Sequence, residues 1–573
     1  MKKIYGFAFA AAVMALASCS NDNEPVNNPN PTPAPAGPGS YVAVNICNPA
    51  NTRAEGYQVG TKNENTVSSG TFYIFKDSEL AFVQPINENA SWQGPLDMGN
   101  TVEVIGGATL LIPGEITGEL TEVTAPDVPT GLEVLVVLND NNAGVELSRG
   151  MSMDECLAKL SAEGENEDKA ATPLNFLMSN STYFSEVTNN TNNGTKVIAV
   201  PLTRTNLVAT EAEAMRHPVN IYVERTVARV DYKKAEPTDG EEWLRNNTIH
   251  YQNAQEVTTI TPNILGVKVV SDPTNSSLFK QFDASQIDSN WSTLADLNDA
   301  GNFRSFWATM PTEGINKPTF SYASMNGANF DPADWANNET KTMYLHENTD
   351  ANDPSTVVVY AQLMKDNQPF EIAALYGQYT DKEGAINMVA NTVRGLGYRI
   401  ETIVKENGEE VRREYRTINP SDLDWSNEVY MPAEGVQESG NRTYLNFVAE
   451  LGEDESIVKV NGTDYDRSET LAAELDKFLA DTPISVWEDG YCYYYTTIDH
   501  IDKVGKKIAG VVRNHLYQIN FTGLSGLGTP VFDPDKDVVP VKPKYDEGDN
   551  VYLAAQINVL QWRVASQNTI LGE

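Results

Sequence analysis

Leu132-Glu133-Val134-Leu135-Val136-Val137-Leu138, stopped by Asn139-Asp140, decides the fold. The run is apolar and β-branched, with the length and composition of a strand in a β-sandwich. Working outward, the same pattern recurs. Thr71-Phe72-Tyr73-Ile74-Phe75 and Leu80-Ala81-Phe82-Val83 flank a Lys-Asp-Ser-Glu turn, and Tyr41-Val42-Ala43-Val44-Asn45-Ile46 alternates with Val42, Val44 and Ile46 on one face. Lys196–Val200 and Val219–Val223 follow, and later Ile264–Val270, Ser355–Ala361, Tyr444–Val448, Tyr491–Thr497 and Leu516–Phe521. Many short strands separated by turn residues predict a mainly β protein built as two β-sandwich domains. Helices are few. Ser152-Met153-Asp154-Glu155 is a capping box with Leu157 and Leu160 on one face after it, and Ser468 to Leu479 reads as a second helix. The chain becomes charged and Pro/Gly-containing between Val223 and Asn246, which predicts a boundary separating residues 54–230 from 231–545.

The N-terminus is an export signal. Met1-Lys2-Lys3 is basic, Ile4 to Leu16 is apolar, and Leu16-Ala17-Ser18-Cys19 closes residues 1–18 as a signal peptide. The apolar run spans about 13 residues, short of the ~20 a bilayer crossing needs. Leu-Ala-Ser-Cys resembles a bacterial lipobox, in which Cys19 is acylated and becomes the new N-terminus; the alternative is an ordinary signal with an incidental Cys. Residues 20–40, rich in Pro, Asn and Gly, form a linker able to span up to ~70 Å when extended.

Composition narrows the function. The net charge of −38, with 41 Lys and Arg against 79 acids, argues against nucleic acid, whose phosphates need a basic face. The Cys residues, Cys19, Cys47, Cys156 and Cys492, have no paired spacing, so neither a disulfide framework nor a zinc site is expected. The five His are scattered and form no metal pair. Gly523-Leu524-Ser525-Gly526-Leu527 misses the last glycine of a nucleophile elbow. Asp533, Asp535 and Asp537 have calcium-loop spacing, but Val538 and Lys544 stand where such a loop needs Gly and Glu. No catalytic residue, metal or cofactor is expected. An exposed aromatic platform for a glycan has one candidate, Tyr491, Tyr493, Tyr494 and Tyr495, which core packing explains equally.

The C-terminus is distinctive. Past Pro540-Val541-Lys542-Pro543-Lys544, residues 546–573 carry a long strand in which Val551, Leu553, Ala555, Ile557 and Val559 share one face and Leu560, Trp562 and Val564 the other. A terminal strand set off by a Pro-containing hinge can complete its own sheet or a neighbour's.

Several strings carry a family resemblance. Val223-Glu224-Arg225-Thr226-Val227-Ala228-Arg229, Val511-Val512-Arg513-Asn514-His515-Leu516-Tyr517 and the terminal Val559-Leu560-Gln561-Trp562 stand in the same order as in the fimbrillins of the Bacteroidales, the subunits of type V pili. Cys19, Arg53-Ala54 and Val134–Asp140 add to it. The chain resembles that family over nearly its whole length. It departs at Gln561, where a Pro is usual, and over residues 394–438, a polar stretch that suggests a surface insertion.

The resemblance implies transthyretin-like Greek-key sandwiches and a lipidated precursor carried to the outer membrane. It implies a propeptide of residues 19–53, cut between Arg53 and Ala54. Loss of the strand bearing Val42, Val44 and Ile46 would then open a groove, and the C-terminal strand of another copy (Val551, Leu553, Ala555, Ile557, Val559, Leu560 and Trp562) would fill it. The partners it implies are further copies head to tail, anchor and tip subunits, and host or bacterial surface ligands, in an extracellular fimbrium that supports adhesion or biofilm formation. The alternatives are an anchor or tip subunit of the same fimbria, and a non-polymerising surface lipoprotein that binds a glycan or host ligand.

Overall fold

The computed structural model describes residues 39–48, 60–86, 103–117, 129–139, 147–164, 176–180, 183–185, 195–280, 316–325, 330–425, 445–535, 538–539, 552–560 and 565–566, apart from short gaps within these ranges. The signal peptide, Cys19, Arg53, Ala54, Val551 and Trp562 lie outside the described residues.

The chain is mainly β. Its N-terminal strands are β1 (Gly39–Asn48), β2 (Gly70–Lys76), β3 (Glu79–Pro85), β4 (Glu103–Pro113), β5 (Pro129–Leu138), β6 (Met178–Asn180), β7 (Val200–Thr203) and β8 (Val219–Arg225). They form one eight-stranded sheet in the order β3-β2-β5-β6-β8-β1-β4, with β7 also on β5. The run 132–138 lies in β5, an internal strand of this sheet between β2 and β6, and Val134 to Leu138 are fully buried. The β2–β3 turn holds Asp77 and Ser78 at φ 52° and 66°, the left-handed pair that matches the twist of a two-residue hairpin. Helix α1 (Met153–Gly164) begins at the expected capping box: Ser152 N–H donates to Glu155 Oε2 at 3.1 Å, and Glu155 N–H to Ser152 Oγ at 3.3 Å. The run at 196–200 divides. Thr195–Val197 pairs with Tyr183–Ser185 and β7 pairs with β5, while the buried Asn180 amide donates to the Ile198 carbonyl between them at 2.9 Å.

Sheet membership changes at Thr226. The next strand, β9 (Val227–Lys234), belongs to a second body with β10 (Thr261–Val270), β11 (Lys341–His346), β12 (Thr356–Lys365) and β13 (Ile372–Leu375). Residues 376–483 then form a separate unit. It leaves the body at Leu375 and returns at Ile484, which are register partners. It contains α2 (Lys382–Gly395), β14 (Tyr398–Glu406), β15 (Glu409–Thr417), β16 (Glu455–Asn461), β17 (Asp464–Asp466) and α3 (Leu471–Ala480) around a core that includes Val389, Val393, Ile400, Ile457, Leu475 and Leu479 and that it shares with Ala373, Leu375, Ile484 and Val486. Helix α2 is absent from the sequence reading. Asp381 caps it by accepting from Gly384 N–H at 2.7 Å, and its buried face is mostly small: Ala385, Val389, Ala390 and Val393. The polar stretch expected as an insertion contributes the β14–β15 hairpin, turned at Asn407-Gly408 with φ 53° and 85°; its residues 426–438 lie outside the described residues.

The chain returns through β18 (Ile484–Trp487), β19 (Tyr491–Thr497), β20 (Leu516–Ser525), β21 (Thr529–Pro530), β22 (Tyr552–Leu560) and β23 (Ala565–Ser566). One sheet runs β11-β9-β20-β22-β23 and another β10-β12-β19-β21. Between them packs a core that includes Val230 and Tyr232 from β9, Val357 and Val359 from β12, Tyr494 from β19, and Tyr517, Ile519 and Phe521 from β20. This is the two-sheet sandwich geometry, with alternate residues of each strand turned inward. Among the described residues no helix is long and apolar enough to cross a membrane.

Candidate functional site

The first strand is an internal strand. β1 lies between β8 and β4, antiparallel to β4 over Gly39↔Pro113 to Asn48↔Glu103 and parallel to β8 over Val44↔Val219 to Cys47↔Tyr222. Among the described residues β4 reaches the rest of the sheet only through β1. Val42 is wholly buried in the N-terminal core, beside Leu110, Ile112 and Ile221 among others, and Ala43 is buried against Val208 and Ala214. Every β1–β4 and β1–β8 ladder bond would be lost with β1, leaving a slot one strand wide between two unpaired edges. Such edges are templates for another chain. The backbone of Val44 and Ile46 lies in this slot at the registers Val44↔Ala108 and Ile46↔Gly106.

The terminal strand is docked within its own chain. β22 pairs antiparallel with β20, from Leu516↔Leu560 through Tyr517↔Val559, Ile519↔Ile557 and Phe521↔Ala555 to Leu524↔Leu553. Of the two dispositions open to a chain-end strand, this monomer adopts the home one, and β22 is followed only by the two-residue β23 at that side of the sheet.

The strings that carried the family resemblance meet between these two docks. Arg225 ends β8, and one residue later β9 begins. Thr226 N–H donates to Leu177 O at 2.9 Å, which ties the crossing to the N-terminal body. The buried Arg225 guanidinium donates to Glu64 O at 3.0 Å, to Asn514 Oδ1 at 3.1 Å and to Asn65 Oδ1. Arg229 bridges Glu64 Oε1 at 3.0 Å and Asp231 Oδ1 at 2.8 Å, and Tyr344 Oη donates to Glu64 Oε1 at 2.8 Å. Burial alone would raise the Glu64 carboxyl. The Thr61 backbone N–H, the Tyr344 hydroxyl and the Arg229 charge outweigh it and hold the group below its ordinary value.

On the C-terminal side, Arg513 is fully buried. It donates to Glu347 Oε2 from Nε at 2.9 Å and from Nη2 at 2.8 Å, to Leu278 O at 3.1 Å and to Ser277 O at 2.6 Å. Leu278 and Phe279 insert into the N-terminal core. Asn514 N–H donates to Val227 O and Arg229 N–H to His515 O, both at 2.8 Å, and this starts the parallel β9–β20 ladder. Asn139, the stop after the opening run, accepts from Ser68 N–H at 2.8 Å and donates to Thr66 O and Phe176 O at 2.9 Å. The sequence offered these strings only as resemblance. Their shared location requires contacts between residues such as Arg225 and Asn514, 289 positions apart.

The other candidates resolve differently. Tyr493 and Tyr494 are fully buried in separate cores, so the 491–495 run is not a platform. Ser525 ends β20 and its hydroxyl accepts from the Asn246 amide at 3.1 Å. Asp533 accepts from Asp535 N–H at 3.1 Å in a local turn, and Asp537 lies outside the described residues. Among the described residues no group of three or more His, Cys, Asp or Glu is placed to hold a metal. Cys156 and Cys492 are buried free thiols, and burial raises both.

Residues 485–568 match the family described as major fimbrial subunit protein type IV, fimbrillin, C-terminal. That stretch holds β19, β20, the Arg513–Asn514 half of the seam and β22. Over these residues the chain is similar to the C-terminal part of fimbrillins. Among solved structures, a fimbrilin from Porphyromonas gingivalis is 13% identical, covering 92% of this chain and 98% of its own, with a TM-score of 0.31. A fimbrial assembly protein from Parabacteroides distasonis is 14% identical, covers 57% of this chain and 86% of its own, and has a TM-score of 0.29. A tip fimbrial protein from Porphyromonas gingivalis, truncated at its C-terminus, is 10% identical over 92% of this chain and 100% of its own, with a TM-score of 0.28. No curated protein matches the chain.

Proposed function

We propose that this protein is a structural stalk subunit of a surface fimbria. In this reading it is exported as a lipoprotein through Cys19 and held at the outer membrane until it is cut between Arg53 and Ala54. It then polymerises by strand exchange. Loss of residues 19–53 removes β1, and the C-terminal strand of a second copy, bearing Leu553, Ala555, Ile557, Val559, Leu560 and Trp562, enters the slot between β8 and β4. A contact in which one end of each copy fits the other end of the next extends as a fibre wherever its rotation does not close a ring.

One observation carries the reading: the strand nearest the proposed cut is the internal strand that closes the N-terminal sheet. Loss of an internal strand breaks two ladders where loss of an edge strand breaks one, and it leaves two unpaired edges as templates for another strand. A second point supports the position of the cut. β1 ends at Asn48, the described chain resumes at Gly60, and Arg53 is the only Lys or Arg in between. A subunit that ends a fibre at the membrane would keep β1 and its lipid, so a cuttable Arg53 favours the stalk over an anchor.

Home docking of β22 gives the strand two competing hosts, β20 of its own chain and the slot of a neighbour. While β1 fills the slot, only the first is available. Main-chain bonds supply affinity in either place, and side chains at alternate positions supply register. N-terminal sequencing of subunits taken from assembled fibres tests the proposal. The expected first residue is Ala54, and fibre subunits that begin at Cys19 would overturn it.

A further inference from the structure

The residues just past the proposed cut are built into the seam. Gly60 approaches the Arg225 guanidinium so closely that a Cβ there would lie 2.8 Å from Arg225 Nη2 and 2.8 Å from Asn65 Oδ1. Thr61 and Glu64 close a turn on themselves: Thr61 N–H donates to Glu64 Oε2 at 2.5 Å, Glu64 N–H to Thr61 Oγ1 at 3.3 Å, and Asn65 N–H to Thr61 O at 3.1 Å. Glu64 is fully buried, and its carboxylate holds Arg229 and the Tyr344 hydroxyl from the C-terminal body. Its carbonyl and the Asn65 side chain hold Arg225, which ends the N-terminal body's β8. Glu64 and Asn65 therefore bind both sides of the joint, and none of these bonds involves β1.

We propose that Gly60–Asn65 is an anchor for the processed chain. When the residues before Ala54 leave, this turn keeps the new N-terminal segment fixed in the seam. The slot between β8 and β4 then opens while the two bodies stay locked through Glu64, Arg225 and Arg229. A buried carboxylate with a guanidinium, a hydroxyl and a backbone N–H on its oxygens resists withdrawal, because release would expose two arginines to the loss of charge-assisted partners. This inference rests on the reading that the chain is cut between residues 48 and 60.

Hydrogen exchange read by mass spectrometry, on the chain from Ser20 onward before and after cutting with an Arg-specific protease, separates the two ideas. On cutting, at a dilution that keeps copies apart, peptides from β4 (Glu103–Pro113) should lose protection as β1 departs, whereas peptides covering residues 60–66 should keep theirs. Loss of protection at 60–66 together with β4 would overturn the anchor. Protection kept at both, with the 20–53 fragment still bound, would overturn strand removal and leave the turn's fixed position as the sole finding. Glu64→Gln keeps the side-chain shape and removes the charge. In the cut chain it should speed exchange at 60–66 by at least about tenfold, the scale of a lost hydrogen bond to a charged group. Unchanged exchange in the cut Glu64→Gln chain would also overturn the anchor. Intact protection of the β10–β12 ladder, which takes no part in the exchange, checks in the same spectra that the variant is folded.

Discussion

Val42→Ala tests whether β1 is held as an exchangeable strand. Val42 is wholly buried in the N-terminal core, so the change removes two methyl groups from a packed site. Transfer alone costs about 1.6 kcal/mol at ~0.8 kcal/mol per methylene. The unfilled space raises this to roughly 2–3 kcal/mol. In the uncut chain that loss weakens docking of β1 but cannot exceed the free energy of docking, because beyond it the strand simply detaches. After cutting at Arg53 the strand is held by non-covalent contacts only, so the same loss weakens fragment binding by roughly 30- to 150-fold at 1.4 kcal/mol per factor of ten. The assay is release of the 20–53 fragment after cutting, followed by size exclusion. Faster release from the Val42→Ala chain is expected, followed by a stripped protein indistinguishable from stripped wild type in thermal unfolding. Release rates within about threefold of each other would refute the reasoning, since a side chain worth ~2 kcal/mol or more cannot be silent. A stripped variant that melts below wild type would show that β1 had never left.

Deleting residues 552–573 removes all nine register partners of β20 on that side; a loss of about 2 kcal/mol would lower the melting temperature of the uncut chain by roughly 4–8 °C, and electron microscopy of the cut chain should find no fibres. Arg513→Ala leaves the buried Glu347 carboxylate without its guanidinium, a change expected to cost about 3–5 kcal/mol in urea unfolding; a cost below about 1 kcal/mol would mean the seam relaxes freely. The Glu64 carboxyl is held below its ordinary value, so its contribution is complete above the unfolded value near ~4.3 and is lost as pH falls through the lower folded value; seam protection in exchange experiments should fall over that acidic window in wild type and stay flat in Glu64→Gln.

Strand content was legible because it is local. A short β-branched run such as 132–138 has few other ways to bury its side chains, and the Ser152–Glu155 capping box fixes a helix start within four residues. Helix α2 escaped because its buried face is largely Ala and Val, so no strong apolar stripe marks it, and its cap, Asp381, is one of 79 acids. The inserted unit escaped for another reason. Its limits are set by the pairing of Leu375 with Ile484, and pairing between residues that far apart leaves no local mark.

By itself the sequence determined the β class, the expectation of an export signal, the terminal strand and the single basic residue, Arg53, in the stretch 49–59. Each is a property of neighbouring residues: side-chain shape, hydropathy or the chemistry of one bond. Only the tertiary structure decided that β1 is internal rather than an edge, that β22 docks on β20, and that Glu64, Arg225, Arg229, Arg513 and Asn514 meet in one seam. Strand neighbours and buried ion pairs depend on which distant segments share a core. That choice is made by the summed burial of the whole chain, so no short stretch of it carries the answer.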